Sequence, residues 1–206
     1  MAEEHEPTPD EREIAQVGDP EIEQEEPQLD PEVVARRAAA LSHVRKFGDP
    51  VLRAKALPVQ RFDEALAQEV ARMSALMGDA LGIGLAATQL GRLSRLLVYR
   101  VQGESPALAL VNPEIEWAGK ELEEAEEGCL SLPRVLVDVE RPIHVRVRAQ
   151  DERGEPILIE ASGLEARVIQ HEMDHLDGVL ILDRTSREQR KEAMRALREA
   201  ADEAIA

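Results

Sequence analysis

Five consecutive residues, His171-Glu172-Met173-Asp174-His175, form an H-E-x-x-H pattern. Side chains four apart on a helix share a face, so both imidazoles can reach one metal ion. Glu172 stands beside a ligand without being one, where it can act on water activated by that ion. Two imidazoles leave a catalytic ion one protein ligand short, because such sites commonly use three and keep a further position open. His5 lies in an acidic stretch, and His144 alternates within an expected strand as a surface or edge residue. Cys129, the single cysteine, is the better third ligand. It lies in Glu127-Gly128-Cys129-Leu130-Ser131, where the glycine permits a sharp turn, and a thiolate is a strong ligand for zinc or iron. A lone cysteine also reads as an inert buried thiol or as a nucleophile paired with histidine, and the H-E-x-x-H pattern favours ligation. Gly82-Ile83-Gly84-Leu85-Ala86-Ala87-Thr88-Gln89 lacks the lysine and the spacing of a phosphate loop. Its small residues allow close approach of backbone to something extended, such as a peptide, and Gln89 adds an amide donor. By itself this segment reads as a turn between helix and strand.

These residues need elements to position them. Helical spacing predicts a helix from about Leu164 to Leu176 that carries both histidines, with Gly178 as its stop signal. Asp63 caps a helix to about Ala80 whose Leu66, Val70, Met73 and Met77 form one buried face. Asp49 caps a short turn with Pro50 at its first position. Strands are expected at Leu96–Val101, Leu108–Val111, Val135–Val139, Ile143–Val147 and Ile157–Ile159, with Pro142 starting the fourth of these. Glu121–Glu127 reads as an exposed strand or loop. Ser186 caps a last helix to about Ala204, with an apolar stripe of Met194, Leu197, Ala201 and Ala204. On that helix Arg187, Arg190, Lys191, Arg195 and Arg198 recur at spacings of three or four, as a solvated face or a basic stripe. Strands in the middle with flanking helices argue an α+β fold.

Composition limits the rest. The chain has 206 residues, 25 Lys+Arg, 42 Asp+Glu and a formal net charge of −17, which disfavours a basic nucleic-acid-binding domain. Residues 1–40 hold 13 acids and 3 bases, and they read as an acidic, disordered tail in which 31–40 could form a short helix. Residues 41–206 read as the catalytic domain. One cysteine excludes an intramolecular disulfide. With neither a secretory signal nor a membrane-spanning run, a cytoplasmic location and no membrane partner are expected.

The three segments, in this order, resemble the peptide deformylase family, whose pattern is G-x-G-L-A-A-x-Q, then E-G-C-L-S, then Q-H-E-x-D-H. Gly48-Asp49-Pro50-Val51-Leu52-Arg53, Arg141-Pro142 and Leu176-Asp177-Gly178 also look like the family, so the resemblance spans about 43–185. Thr88 stands where the family commonly has proline, and Arg134 where a small or acidic residue is common. The resemblance implies mixed, mainly antiparallel sheets packed around a central metal-binding helix, with a C-terminal helix. It implies a hydrolase that removes formyl from the N-terminal formylmethionine of newly made proteins. Cys129, His171 and His175 would hold one divalent ion, Fe2+ as the native one, with Zn2+, Ni2+ or Co2+ able to replace it. Glu172 would act as base and acid, and Gln89 with the backbone N–H of Leu130 would donate to the tetrahedral oxyanion. Ile83 and Gly84 would pair with substrate backbone. The partners implied are nascent N-formylmethionyl polypeptides and, through the C-terminal helix, the ribosome. An H-E-x-x-H protease is disfavoured by the motifs around Cys129 and Gln89. A catalytically dead ribosome-associated protein is disfavoured by the presence of Glu172 and all three ligands.

Overall fold

The computed structural model describes residues 29–103 and 105–203. His5, most of the acidic tail and Ala204 lie outside the described residues. Among the described residues, four α-helices, α1 (Pro31–His43), α2 (Glu64–Asp79), α3 (Gly163–Leu176) and α4 (Arg187–Glu203), accompany seven strands. The strands are β1 (Gly84–Ala86), β2 (Leu96–Tyr99), β3 (Leu108–Ala118), β4 (Leu122–Cys129), β5 (Leu132–Pro142), β6 (His144–Gln150) and β7 (Pro156–Ser162). Five of them form one sheet in the order β1-β2-β3-β6-β7, and β4 with β5 forms a second. Every strand pair is antiparallel, and the α+β class is as expected.

Alternation along β2 explains the layering. Leu97 and Tyr99 face one side and pack with Ile169, Met173 and Leu176 of α3. Leu96 and Val98 face the other and pack with Leu66, Met73 and Met77 of α2. Successive strand side chains point to opposite faces, so a strand buried on both sides reads as a continuous apolar run. A third cluster joins Val135, Val137 and Val139 of β5 to Ala193 and Leu197 of α4.

The expected caps are present. The Asp49 carboxylate accepts from the Val51 N–H at 3.0 Å, that of Asp63 accepts from the Leu66 N–H at 3.3 Å, and the Ser186 hydroxyl accepts from the Gln189 N–H at 3.2 Å. Gly178 adopts φ +73°, and a Cβ there would lie 2.6 Å from the Arg53 carbonyl oxygen, so α3 stops where only glycine fits.

Three local expectations change. Pro142 ends β5 rather than starting β6. It sits where the chain leaves the two-stranded sheet for the five-stranded one, a place that tolerates a missing N–H. The strand beginning at Leu108 continues to Ala118 across register shifts, with Asn112 at φ +52° and Pro113 accommodated at the irregularity. The Asn112 side chain secures this bend through bonds to both backbone groups of Val59 and to Gln150. Residues 31–40 belong to α1, so the 40/41 boundary falls inside a helix whose Ala40 is buried. Arg37 and Leu41 of α1 line a cleft described below.

Candidate active site

The helix α3 is apolar toward the five-stranded sheet and polar toward β4 and β5, where Arg167, Gln170, Glu172, Asp174 and His175 are buried. Buried charges need partners, and Arg167 and Asp174 have them. Glu127 on β4 accepts two bonds from Arg141 of β5 (2.6 and 2.9 Å) and one from Arg167 (2.9 Å). Its second oxygen also meets His171 Nδ1 at 2.9 Å. Arg167 donates further to the carbonyls of Val139 and Glu123. Arg141 reaches Asp174 at 2.9 Å, and Asp174 also accepts from Arg184. This network bolts the β4–β5 hairpin to α3 and so fixes where Cys129, the last residue of β4, meets the helix.

Cys129, His171 and His175 each offer one ligand atom, and these atoms all lie within 4.8 Å of one another. Cys129 Sγ is 3.2 Å from His175 Nε2. The two imidazoles stand edge to face with centroids 5.0 Å apart. With His171 Nδ1 donating to Glu127, its Nε2 is left for an ion, an arrangement that fixes tautomer and ring orientation. Burial alone would raise the Cys129 thiol, but the charges and hydrogen bonds of His175 and His171 outweigh it and hold the group well below its usual range. Burial would likewise lower His171, but its bonds to Cys129 and Glu127 outweigh that and hold it well above its usual range. One thiolate and two imidazoles at this spacing fit a divalent transition metal.

Glu172 is 4% exposed, and its Oε2 has no hydrogen-bond partner. Burial pushes its carboxyl above the usual range. A Cβ on Gly84 would lie 2.4 Å from Glu172 Oε1. The close approach expected around the Gly82–Gln89 segment is therefore made to this carboxylate. That segment is more than a turn: β1 forms one edge of the five-stranded sheet, followed by a 3-10 turn over Ala87–Leu90.

The Gln89 side chain is 1% exposed and held at both ends. Its Oε1 accepts from the Ala86 N–H at 2.9 Å, which turns Nε2 toward Ser131 Oγ (3.2 Å) and Cys129 Sγ (3.7 Å). Thr88 is fully buried and donates from Oγ1 to the His175 carbonyl at 3.1 Å, so this departure from the common proline ties the segment to α3. The stretch 45–47 braces both loops. The Arg45 N–H donates to the Gln89 carbonyl (2.7 Å), the Phe47 N–H to that of Ser131 (2.9 Å), and Lys46 Nζ to that of Leu130 (2.9 Å).

These groups open on a cleft of about 640 Å³ whose lining includes Ile83, Gly84, Gln89, Cys129, Leu130, His171 and Glu172. His175 lies behind it, 1% exposed. His144 is exposed on β6, away from this lining. Asp174 does not support an imidazole; its partners are two arginines. The carboxylate that does so is Glu127, whose only signal in the sequence was its place two residues before Cys129. Arg141, Arg167 and Lys46 were likewise given no role in the sequence, because their partners lie far away in the chain.

Residues 41–191 match the family model described as polypeptide deformylase. A peptide deformylase from Thermotoga neapolitana is 53% identical over 141 residues, 68% of this chain and 85% of that protein. One from Acidothermus cellulolyticus is 47% identical over 161 residues, 78% of this chain and 88% of that protein. Among solved structures, a peptide deformylase from Synechococcus elongatus in complex with actinonin has a TM-score of 0.72 at 46% identity, covering 74% of this chain and 85% of that one. One from Legionella pneumophila has a TM-score of 0.75 at 39% identity, covering 79% and 96%.

Proposed function

The chain belongs to the polypeptide deformylase family, and from that membership we propose how its own residues carry the reaction. It is a metal-dependent enzyme that removes the formyl group from the N-terminal methionine of newly made proteins. The observation that carries the assignment of residues is the convergence of Cys129, His171 and His175 beside a buried carboxylate oxygen with no partner.

We assign Cys129, His171 and His175 as ligands of one divalent ion. When bound, the ion supplies Lewis acidity, polarising water and the formyl oxygen. Glu172 takes the proton from the attacking water as hydroxide adds to the formyl carbon. The carbon–nitrogen bond then breaks, and Glu172 returns the proton to the leaving amine, releasing formate and a free N-terminus. Gln89 Nε2 and the Leu130 N–H donate to the tetrahedral oxygen; losing such a donor typically costs about 10²–10³ in rate. The edge position of β1 supports pairing of substrate backbone with Ile83 and Gly84 as an added strand. Val168, one turn before His171 on the cleft wall, and Leu132 offer apolar contact to the methionine side chain.

The native ion in this proposal is Fe2+, with Zn2+, Ni2+ and Co2+ as substitutes. Chain purified without oxygen is expected to release formate from a formyl-Met peptide, to contain iron by elemental analysis, and to lose activity on aeration. Equal activity after aerobic purification, with zinc in the site, would overturn the iron assignment. Absence of formate release from the metal-loaded chain would overturn the assignment of the site.

Residues 41–206 are proposed as the catalytic domain, extended at its start by the rest of α1, with the segment before α1 as an acidic tail. Among the described residues no helix is long and apolar enough to cross a membrane, and a cytoplasmic location is proposed with the substrate. Docking to the ribosome through α4 is supported by its exposed Arg187, Lys191, Arg195 and Arg198, opposite the buried Ala193 and Leu197. Reversing these four charges is expected to lower co-sedimentation with ribosomes while Ala193 and Leu197 keep the helix docked on β5; unchanged co-sedimentation sinks this part.

A further inference from the structure

The cleft has a wall that begins ahead of the family match. Residues 31–40 lie before the matched segment 41–191, yet Arg37 of α1 lines the cleft beside Leu41, the first matched residue, and Lys46. The helix is anchored there, because Ala40 and Val44 are buried and α1 packs on α2. Arg37 and Lys46 stand together on one wall of the cleft, and among the described lining residues the acidic groups are the buried Glu172 and the Cys129 thiol. In a chain of net charge −17 this wall is a local reversal of sign. Arg37 makes no ion pair among the described residues; burial lowers the Lys46 ammonium, the Cys129 charge opposes this, and the nearby Arg37 charge adds to the lowering. A cleft wall that carries one sign of charge favours ligand groups of the opposite sign beside it.

We propose that the α1 wall, through Arg37 with Lys46, selects formylated peptides that carry an acidic side chain within the few residues after methionine. This rests on the deformylase reading of the same cleft. An extended peptide held on the β1 edge advances roughly 3.3 Å per residue, with alternate side chains turned to opposite walls, so particular positions face α1. Lys46 also holds the Leu130 carbonyl, and Arg37 makes no such bond, which leaves Arg37 as the cleaner determinant of charge preference.

The test measures kcat/KM for formate release by the full, metal-loaded chain. Substrates are short formyl-Met peptides with glutamate, glutamine or lysine scanned over the three positions after methionine. At one position or more, at low salt, the glutamate peptide is expected to exceed the glutamine peptide by about threefold to tenfold, chiefly through KM, with the lysine peptide lowest. High salt should shrink the difference. Arg37→Gln should bring the glutamate-to-glutamine ratio toward unity, and Arg37→Glu should invert it. A ratio near unity at every position in the wild-type chain overturns the proposal, as does a ratio that neither substitution moves. Failure to release formate even from the neutral peptides overturns the deformylase reading instead, so the two failures are distinct.

Discussion

Replacing Glu172 by glutamine is expected to lower kcat for formate release by about 10²–10⁴-fold, the usual contribution of a positioned proton-transfer group. Glutamine preserves the volume packed against Gly84 but removes the only carboxylate among the described residues that line the cleft, the group proposed to take a proton from water and return it to the amine. The proposed ligand atoms come from Cys129, His171 and His175, not from Glu172, so metal content should stay at the wild-type level. The loss should therefore appear in kcat with KM little changed. Circular dichroism and elemental analysis of the same sample separate this from unfolding or metal loss. A folded, metal-loaded Glu172→Gln enzyme with full kcat would remove Glu172 from the mechanism.

Glu127→Ala is expected to damage fold and site together. The carboxylate is 6% exposed and takes bonds from Arg141, Arg167 and His171. Removing one partner of a buried ion pair leaves charge uncompensated and typically costs about 3–5 kcal/mol. In a chain of this size that lowers the thermal midpoint by about 10 °C. His171 also loses the group that orients its ring, a change that typically weakens metal binding by about 10–100-fold. A calorimetric scan and a metal-competition titration read the two effects separately; a wild-type midpoint with wild-type affinity would show that the network is dispensable. Acid should reproduce part of the loss. Burial alone would raise the Glu127 carboxyl, but hydrogen bonds from His171 and Arg141 and the Arg141 charge hold it at about 2, below its ordinary 4.5. A carboxyl depressed in the folded state stabilises above its unfolded pKa and ceases to do so as pH falls through the folded value. The contribution of Glu127 is thus full above about pH 4.5 and lost on the way down to about 2.

The chemistry was legible in the chain because its signals are local. Two histidines at helical spacing, a glutamate beside one of them and a capped helix ending at Gly178 depend only on residues within one element, and α3 was expected to within a residue at its start. Asp49 and Asp63 were identifiable as caps for the same reason. Pro142 was misplaced because its position depends on which sheet takes up each strand. Asp174 illustrates the limit more sharply. Nothing in its helical neighbours identifies its partners, and only the packed structure decided that these would be Arg141 and Arg184.

The sequence by itself determined the candidate ligand types, the candidate proton-transfer carboxylate, the segment order and the buried faces of α2 and α3. Tertiary structure alone decided that Cys129, more than forty residues before His175, would lie 3.2 Å from it. It also decided that Glu127 would hold His171, that Gly84 would admit Glu172, and that residues 45–47 would brace both loops. It placed α1, most of which precedes the family match, on the wall of the same cleft. The physical reason is range: caps, turns and helical faces are set by neighbours along the chain. A buried charge network is set by which distant groups must pair once water is excluded.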